Sequence, residues 1–183
     1  MKAEYKEWHK IANEERESPD ISEHNYVLQI GHGASYYYDP QTFYVDSLEN
    51  DPTGKAILDQ AMSDALNEFM NTGADAFGIM REKGLLRESR YKNKKDFQSR
   101  TITVWDSSGG DRYQYEIDMT DLNWEIGDSI STVLDYECNL ATADYHGRKW
   151  IAWFVPDVAV QDGPWQLLSL IHISEPTRPE PIS

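Results

Sequence analysis

Apolar and polar positions alternate along two segments in the second half of the chain, Thr101–Trp105 and Arg112–Asp118. The Ser-Ser-Gly-Gly sequence at residues 107–110 lies between them and is typical of a hairpin turn. In the second segment the apolar residues fall on one side, and these are Tyr113, Tyr115 and Ile117. The pattern predicts antiparallel strands with one packed face and one solvated face.

Other segments also have a residue pattern typical of strands, and Gly, Asp-Pro or Gly-Asp turns separate several of them. Around the hairpin tip at residues 145–148, the flanking segments can pair with each other. The further predicted strands are Tyr26–Ile30, Ser35–Tyr38, Phe43–Val45, Asn123–Ile126, residues 134–143 and residues 149–155.

One helix is clearly predicted after Asp51-Pro52, around residues 54–71. Its apolar residues recur at helical spacing, and Gly73 follows as the expected left-handed cap. We expect its apolar stripe to lie on the strands. Helix propensity also favours a charged helix over residues 3–17. The predicted fold class is mainly β (α+β), a curved antiparallel sheet or half-barrel with one packed helix.

The chain has 183 residues, with 17 Lys and Arg against 32 Asp and Glu, so the net charge is −15. This charge argues against non-specific binding to nucleic acid and against docking on an anionic membrane. No apolar run approaches the length of about 18 residues that a transmembrane helix needs. Basic residues do cluster within residues 87–100. They could contact an anion, but a solvated loop is the favoured interpretation.

Few residues offer reactive chemistry. Cys138 is the single cysteine and could be a nucleophile, but a buried structural role is favoured. His146 could be a general base, although its place at a predicted hairpin tip favours a role in the turn. Metal-binding spacing, a nucleotide-binding glycine motif and a Gly-x-Ser-x-Gly motif are absent from the sequence. We therefore predict no catalytic residue, no metal and no cofactor.

Aromatic residues are abundant on the predicted strands and could line a groove for an apolar ligand. The alternative is that they form core and cross-strand pairs. The candidate ligand-binding residues are Trp124, Trp153, Tyr113 and Tyr115. They belong to a wider aromatic set that also includes Trp105, Trp150 and Trp165.

Three segments near the carboxyl end resemble the GLPGLI family of exported Bacteroidota proteins: Asp135–Thr142, His146–Phe154 and Asp162–Trp165. The family pattern there is Gly-Tyr-x-Cys-x-x-Ala, then Gly-Arg-x-x-x-Ala-Trp, then Gly-Pro-Trp. The resemblance covers most of residues 26–167. Its motif positions are Cys138, Gly147, Arg148, Trp153, Gly163, Pro164 and Trp165.

The resemblance implies a periplasmic, outer-envelope or secreted protein, with a signal peptide upstream of Met1. It also implies that Ala3–Trp8 is a strand rather than a helix. It implies no catalytic residue, because the family has no assigned activity.

The last residues, 168–183, resemble a translated transposase adaptor of the kind used in sequencing libraries. They begin where the naming motif of the family would be expected. We therefore expect residues 1–167 to form a single β-rich domain that is incomplete at both ends, and we exclude residues 168–183 from the functional argument.

Three functional hypotheses follow. The first is a non-enzymatic, exported cell-envelope protein that binds an apolar ligand or a partner protein through exposed aromatic surface. The second is a hydrolase that uses Cys138 or His146. The third is a sheet whose open edge is completed by another chain.

Overall fold

The computed structural model describes residues 1–11, 20–108, 110–119, 123–145, 147–156 and 162–167, with the backbone alone for residues 8–11 and 20–22. The chain divides into two compact units, Met1–Ile117 and Asp118–Ser183. Both contain antiparallel sheet, which confirms the predicted mainly β class.

The first unit contains a six-stranded sheet in which each strand neighbours the next one along the chain. Three helices are inserted between the third and fourth strands. The strands are β1 Lys2–Ile11, β2 Asp20–Ile30, β3 Ala34–Tyr38, β4 Lys92–Asp96, β5 Thr101–Ser108 and β6 Asp111–Asp118; the helices are α1 Pro40–Glu49, α2 Pro52–Thr72 and α3 Ala76–Glu82.

One face of this sheet forms a core of tyrosines and aliphatic residues. Tyr37 is fully buried, and its ring stacks on Tyr26 with centroids 4.8 Å apart. Tyr5 and Tyr91 meet the Tyr37 ring edge-on at 6.1 and 6.5 Å. Further buried residues on β2 and β5 extend this core, and they are Leu28, Ile102 and Val104.

The basic segment 87–100 is not a loop throughout, which corrects the sequence-based interpretation. Residues 92–96 form β4 and pair with both β3 and β5. Alternation then places Lys92 and Lys94 on one face, while Asn93 and Lys95 are fully buried on the other. The neighbouring strands β3 and β5 supply the hydrogen-bond partners of β4. The polar sequence of β4 did not predict a strand by itself.

Each helix begins with an aspartate cap. The Thr42 amide donates to Asp39 at 2.6 Å at the start of α1, and the Gly54 amide donates to Asp51 at 2.8 Å at the start of α2. The prediction of a strand over residues 43–45 is therefore wrong. Asp39 caps α1 and Pro40 lies in its first turn, so this pair starts a helix and not the predicted turn.

The helix predicted over residues 54–71 is confirmed as α2, and Gly73 caps it in the left-handed conformation with φ 75°. Its packing differs from the expectation, because α2 packs against α1 and α3. The buried centre of this helical layer consists of Ala61, Ala65 and Met80. Three helices rather than one accompany the sheet in the described residues.

At the amino end, β1 is a strand, as the family resemblance implied for Ala3–Trp8, and the helix favoured by propensity is wrong for residues 2–11. β1 pairs with β2 along its whole length, from Lys2 opposite Gln29 to Ile11 opposite Asp20. Pairing of this extent outweighs local helix preference. Residues 12–17 of that predicted helix lie outside the described residues.

The second unit contains a three-stranded antiparallel sheet, β7 Glu125–Val133, β8 Tyr136–Tyr145 and β9 Arg148–Phe154. This order confirms the predicted pairing across the hairpin tip at residues 145–148. Leu134 and Asp135 both have positive φ in the tight turn between β7 and β8. Trp150 pairs with Ala143 across the strands, and its ring stacks on Trp165 at 5.6 Å.

Candidate functional site

The face of the six-stranded sheet opposite the tyrosine core presents two rows of side chains. Cross-strand pairing aligns Tyr38, Lys92 and Trp105 in one row. It aligns Gln29, Tyr36, Lys94 and Thr103 in the next row. Because paired residues on one face lie about 5 Å apart at Cβ, these side chains form a continuous surface.

Helix α1 supplies a wall to this surface. The Phe43 ring lies against Tyr38 with centroids 4.7 Å apart and planes inclined at 37°. Phe43 and Tyr36 remain 56% and 47% exposed, so the surface is open to solvent rather than filled. The resulting cavity has a volume of about 1050 Å³. We call it the aromatic groove, and its principal lining residues are Gln29, Tyr36, Tyr38, Phe43, Lys92 and Trp105.

Lysines lie over the aromatic rings of this face. The Lys92 ammonium is 5.9 Å from the centroid of the Trp105 ring, and the Lys94 ammonium is 5.9 Å from that of Tyr36. At this distance an ammonium is attracted by the negative ring face. The side chains therefore offer flat apolar surface together with positive charge.

Hydrogen bonds hold the groove side chains in place. The Trp105 indole nitrogen donates to Gln114 at 2.8 Å across β5 and β6. The Tyr38 hydroxyl donates to Gln29 at 3.4 Å. The Lys92 ammonium also contacts the Asp46 carboxylate of α1 at 3.3 Å, and this ion pair links α1 to β4 of the sheet.

Asp46 is the main electrostatic link between α1 and the sheet. The Arg87 guanidinium donates to it at 2.8 Å, in addition to the contact from Lys92. Burial raises the pKa of Asp46, but hydrogen bonds from Arg87 and Lys92 outweigh this effect and leave the pKa below its ordinary value. The carboxylate thus stays charged near neutral pH.

Of the predicted ligand-binding residues, Tyr113 and Tyr115 lie together on β6. Their rings stack with centroids 6.2 Å apart, and both are about two-fifths exposed. They lie on the opposite face of β6 from Gln114, the partner of Trp105 in the groove. Tyr113 nevertheless lines a smaller cavity that adjoins the groove at Lys92 and Trp105.

Trp124 and Trp153 belong to the second unit. Trp124 is half-buried just before β7, and Trp153 of β9 is opposite Leu140 and 42% exposed. Trp105 is the member of the wider aromatic set that lines the groove. Sequence reasoning missed Tyr36, Tyr38 and Phe43 as lining residues. The alternation within Ser35–Tyr38 already placed Tyr36 and Tyr38 on a common face.

The residues that carry the GLPGLI resemblance lie in the second unit. Cys138 is buried on β8, and its thiol donates to the Tyr136 carbonyl at 3.5 Å. Gly147 has φ 72° at the β8–β9 hairpin, and Arg148 pairs opposite Tyr145. Gly163, Pro164 and Trp165 form a turn in which the Leu167 amide donates to the Pro164 carbonyl at 3.1 Å.

His146 lies outside the described residues. Within the described ranges, no three His, Cys, Asp or Glu side chains are grouped as a metal ion would need. None of the helices described is both long and apolar enough to cross a membrane.

No family model matches the chain. No curated protein matches it significantly. A solved structure of PNGF-II aligns with 88% of the chain at 7% identity and a TM-score of 0.43. The chain spans 22% of the length of that protein. A likeness at this level supports no argument about fold or function.

Proposed function

We propose that this protein is a non-enzymatic binding protein that holds an apolar ligand in the aromatic groove. The observation behind the proposal is the convergence of Tyr36, Tyr38, Phe43 and Trp105 on one open cavity of about 1050 Å³. Single exposed aromatic residues are common on protein surfaces, but several around one concavity are typical of ligand sites.

The ligand favoured by this geometry has a flat apolar body. Tyr36 and Phe43 are the exposed rings, and Trp105 and Tyr38 are positioned by hydrogen bonds to Gln114 and Gln29. Rings that are already oriented lose little conformational entropy when a ligand packs against them. The strands therefore serve as a rigid platform.

The test uses phenylnaphthylamine, a neutral fluorescent probe with a flat apolar body. We expect its fluorescence to rise on binding to the protein. Tyr36→Ala and Trp105→Ala should each weaken the affinity about tenfold, the usual effect of removing one aromatic anchor. The matched control is Trp153→Ala, which removes an exposed aromatic residue of the second unit.

Circular dichroism should confirm that each variant is folded. Loss of binding in Trp153→Ala, with normal binding in Tyr36→Ala and Trp105→Ala, would assign the ligand to the second unit and overturn the proposal. Absence of probe binding to the unmodified protein would also overturn it.

We also propose an exported, cell-envelope location, which rests on the family resemblance of residues 135–142, 146–154 and 162–165. Fractionation of cells that produce the native protein tests this location. Recovery of the protein in the cytoplasmic fraction would contradict it.

A further inference from the structure

A second cavity of about 330 Å³ adjoins the aromatic groove, and the two share Lys92 and Trp105. Two arginines from separate segments line it, Arg90 just before β4 and Arg112 on β6. Thr42 and Gln114 add uncharged polar groups to the same cavity. A ligand that contacts Trp105 in the groove therefore lies beside a residue that also lines this cavity.

The carboxylates of the cavity already have partners. Asp46 accepts from Arg87 at 2.8 Å and from Lys92 at 3.3 Å, and Asp106 accepts from the Ser107 amide at 2.7 Å. By contrast, Arg90 and Arg112 make no hydrogen bond or ion pair within the part of the chain that the structure describes. Both arginines are exposed residues that line the cavity, so their donors are available to a ligand there.

The positive charge of Arg112 acts on Arg90. Burial lowers the pKa of Arg90, and the positive charges of Arg112 and Arg87 lower it further, although the carboxylates of Asp46 and Glu49 act in the opposite direction. Arginine nonetheless stays protonated in proteins. A bound oxyanion would relieve this repulsion and accept hydrogen bonds from both side chains.

We propose that the arginine cavity binds the oxyanion group of an amphipathic ligand whose apolar body lies in the aromatic groove. The group would be a carboxylate, sulfonate or phosphate, since planar guanidinium donors match these oxygen atoms well. This inference rests on the proposed function, because it assigns the polar end of the ligand that the groove holds. It also accounts for a cationic pocket on a chain whose net charge is −15.

The test compares phenylnaphthylamine with anilinonaphthalene sulfonate, a probe of the same apolar skeleton with an added sulfonate. We expect the double substitution Arg90→Gln with Arg112→Gln to weaken sulfonate-probe binding about tenfold. Binding of the neutral probe should change by less than about twofold, because the aromatic groove stays intact. The control is Lys83→Gln with Lys149→Gln, which removes two positive charges from exposed sites elsewhere.

The possible results separate this inference from the proposed function. If the arginine and lysine variants lose sulfonate-probe affinity equally, general charge is responsible and the inference is wrong. If the arginine variant binds both probes normally while Trp105→Ala loses both, the groove stands and the oxyanion site is overturned. If Trp105→Ala binds both probes normally, the proposed function itself fails.

Discussion

Among single residues, Tyr37 has the most distinctive environment in the first unit. It is fully buried, its ring stacks on Tyr26, and its hydroxyl donates to Glu7. Burial raises the pKa of Tyr37 far above its ordinary value, and the hydrogen bond to Glu7 raises it further. Tyr37 therefore remains protonated in the folded state across a wide alkaline range.

Tyr37→Phe tests this environment. The variant leaves Glu7 without the phenolic donor, so we expect a loss of about 1–3 kcal/mol in unfolding free energy at pH 7. The unmodified protein should also lose stability as the pH rises above about 10, because unfolded tyrosine ionises there and buried Tyr37 does not. Below that pH the contribution is fully present.

The measurement is urea unfolding of both proteins at several pH values between 7 and 11, with the exposed Tyr44→Phe as control. The decline above pH 10 should be shallower in Tyr37→Phe than in the other two proteins. An identical decline in all three would show that Tyr37 is not the group that titrates.

At the scale of secondary-structure elements, the junction between α1 and α2 depends on one glycine, Gly54. A Cβ atom at Gly54 would lie 2.5 Å from the Leu48 carbonyl oxygen and 2.7 Å from the Leu48 Cα. Both of these atoms belong to backbone, so neither can move aside as a side chain could. Gly54 thus permits the close approach of the two helices.

Gly54→Ala should therefore destabilise the protein, although alanine is the better helix former by about 1 kcal/mol. We expect a net loss of about 1–3 kcal/mol, as for other forced overpacking. Chemical denaturation of Gly54→Ala alongside Ser63→Ala, an exposed position on α2, provides the measurement. The control should stay within about 0.5 kcal/mol of the parent. Equal or greater stability of Gly54→Ala would refute the packing argument.

Elements whose apolar residues recur with a clear helical or strand period were predictable from the sequence. The stripe through Ala61 and Ala65 predicted α2, and alternation predicted β5 and β6. Elements fixed by their neighbours were not. The Lys-Asn-Lys-Lys-Asp sequence of β4 has no apolar alternation, and it is a strand because β3 and β5 pair with its two edges.

The aromatic groove was harder to predict for a related reason. Tyr36, Lys92 and Trp105 are far apart in the sequence, and only the strand order and register bring them to one face. The sequence identified Trp105 as an aromatic candidate and 87–100 as basic. Neither observation indicated that these two features share a cavity.

For the molecule as a whole, the high net negative charge should lower the stability of the folded state. At −15, like-charge repulsion opposes the folded state, and salt screens it with a Debye length of about 10 Å at 0.1 M. Exposed ion pairs such as Lys2–Glu4 and Lys6–Glu23 lose little when screened, because each is worth at most about 1 kcal/mol. We therefore expect the melting temperature to rise between about 10 and 200 mM NaCl.

Binding of the sulfonate probe should respond to salt in the opposite direction. Salt weakens the attraction between the probe and the arginine cavity, so its affinity should fall over the same range in which the fold gains stability. Thermal melts and probe titrations on the same samples measure both effects. The variant Lys83→Gln with Lys149→Gln has a net charge of −15 − 2 = −17, and its melting temperature should rise more steeply with salt. A melting temperature that falls with salt would mean that specific ion pairs, rather than net repulsion, dominate the electrostatics of this protein.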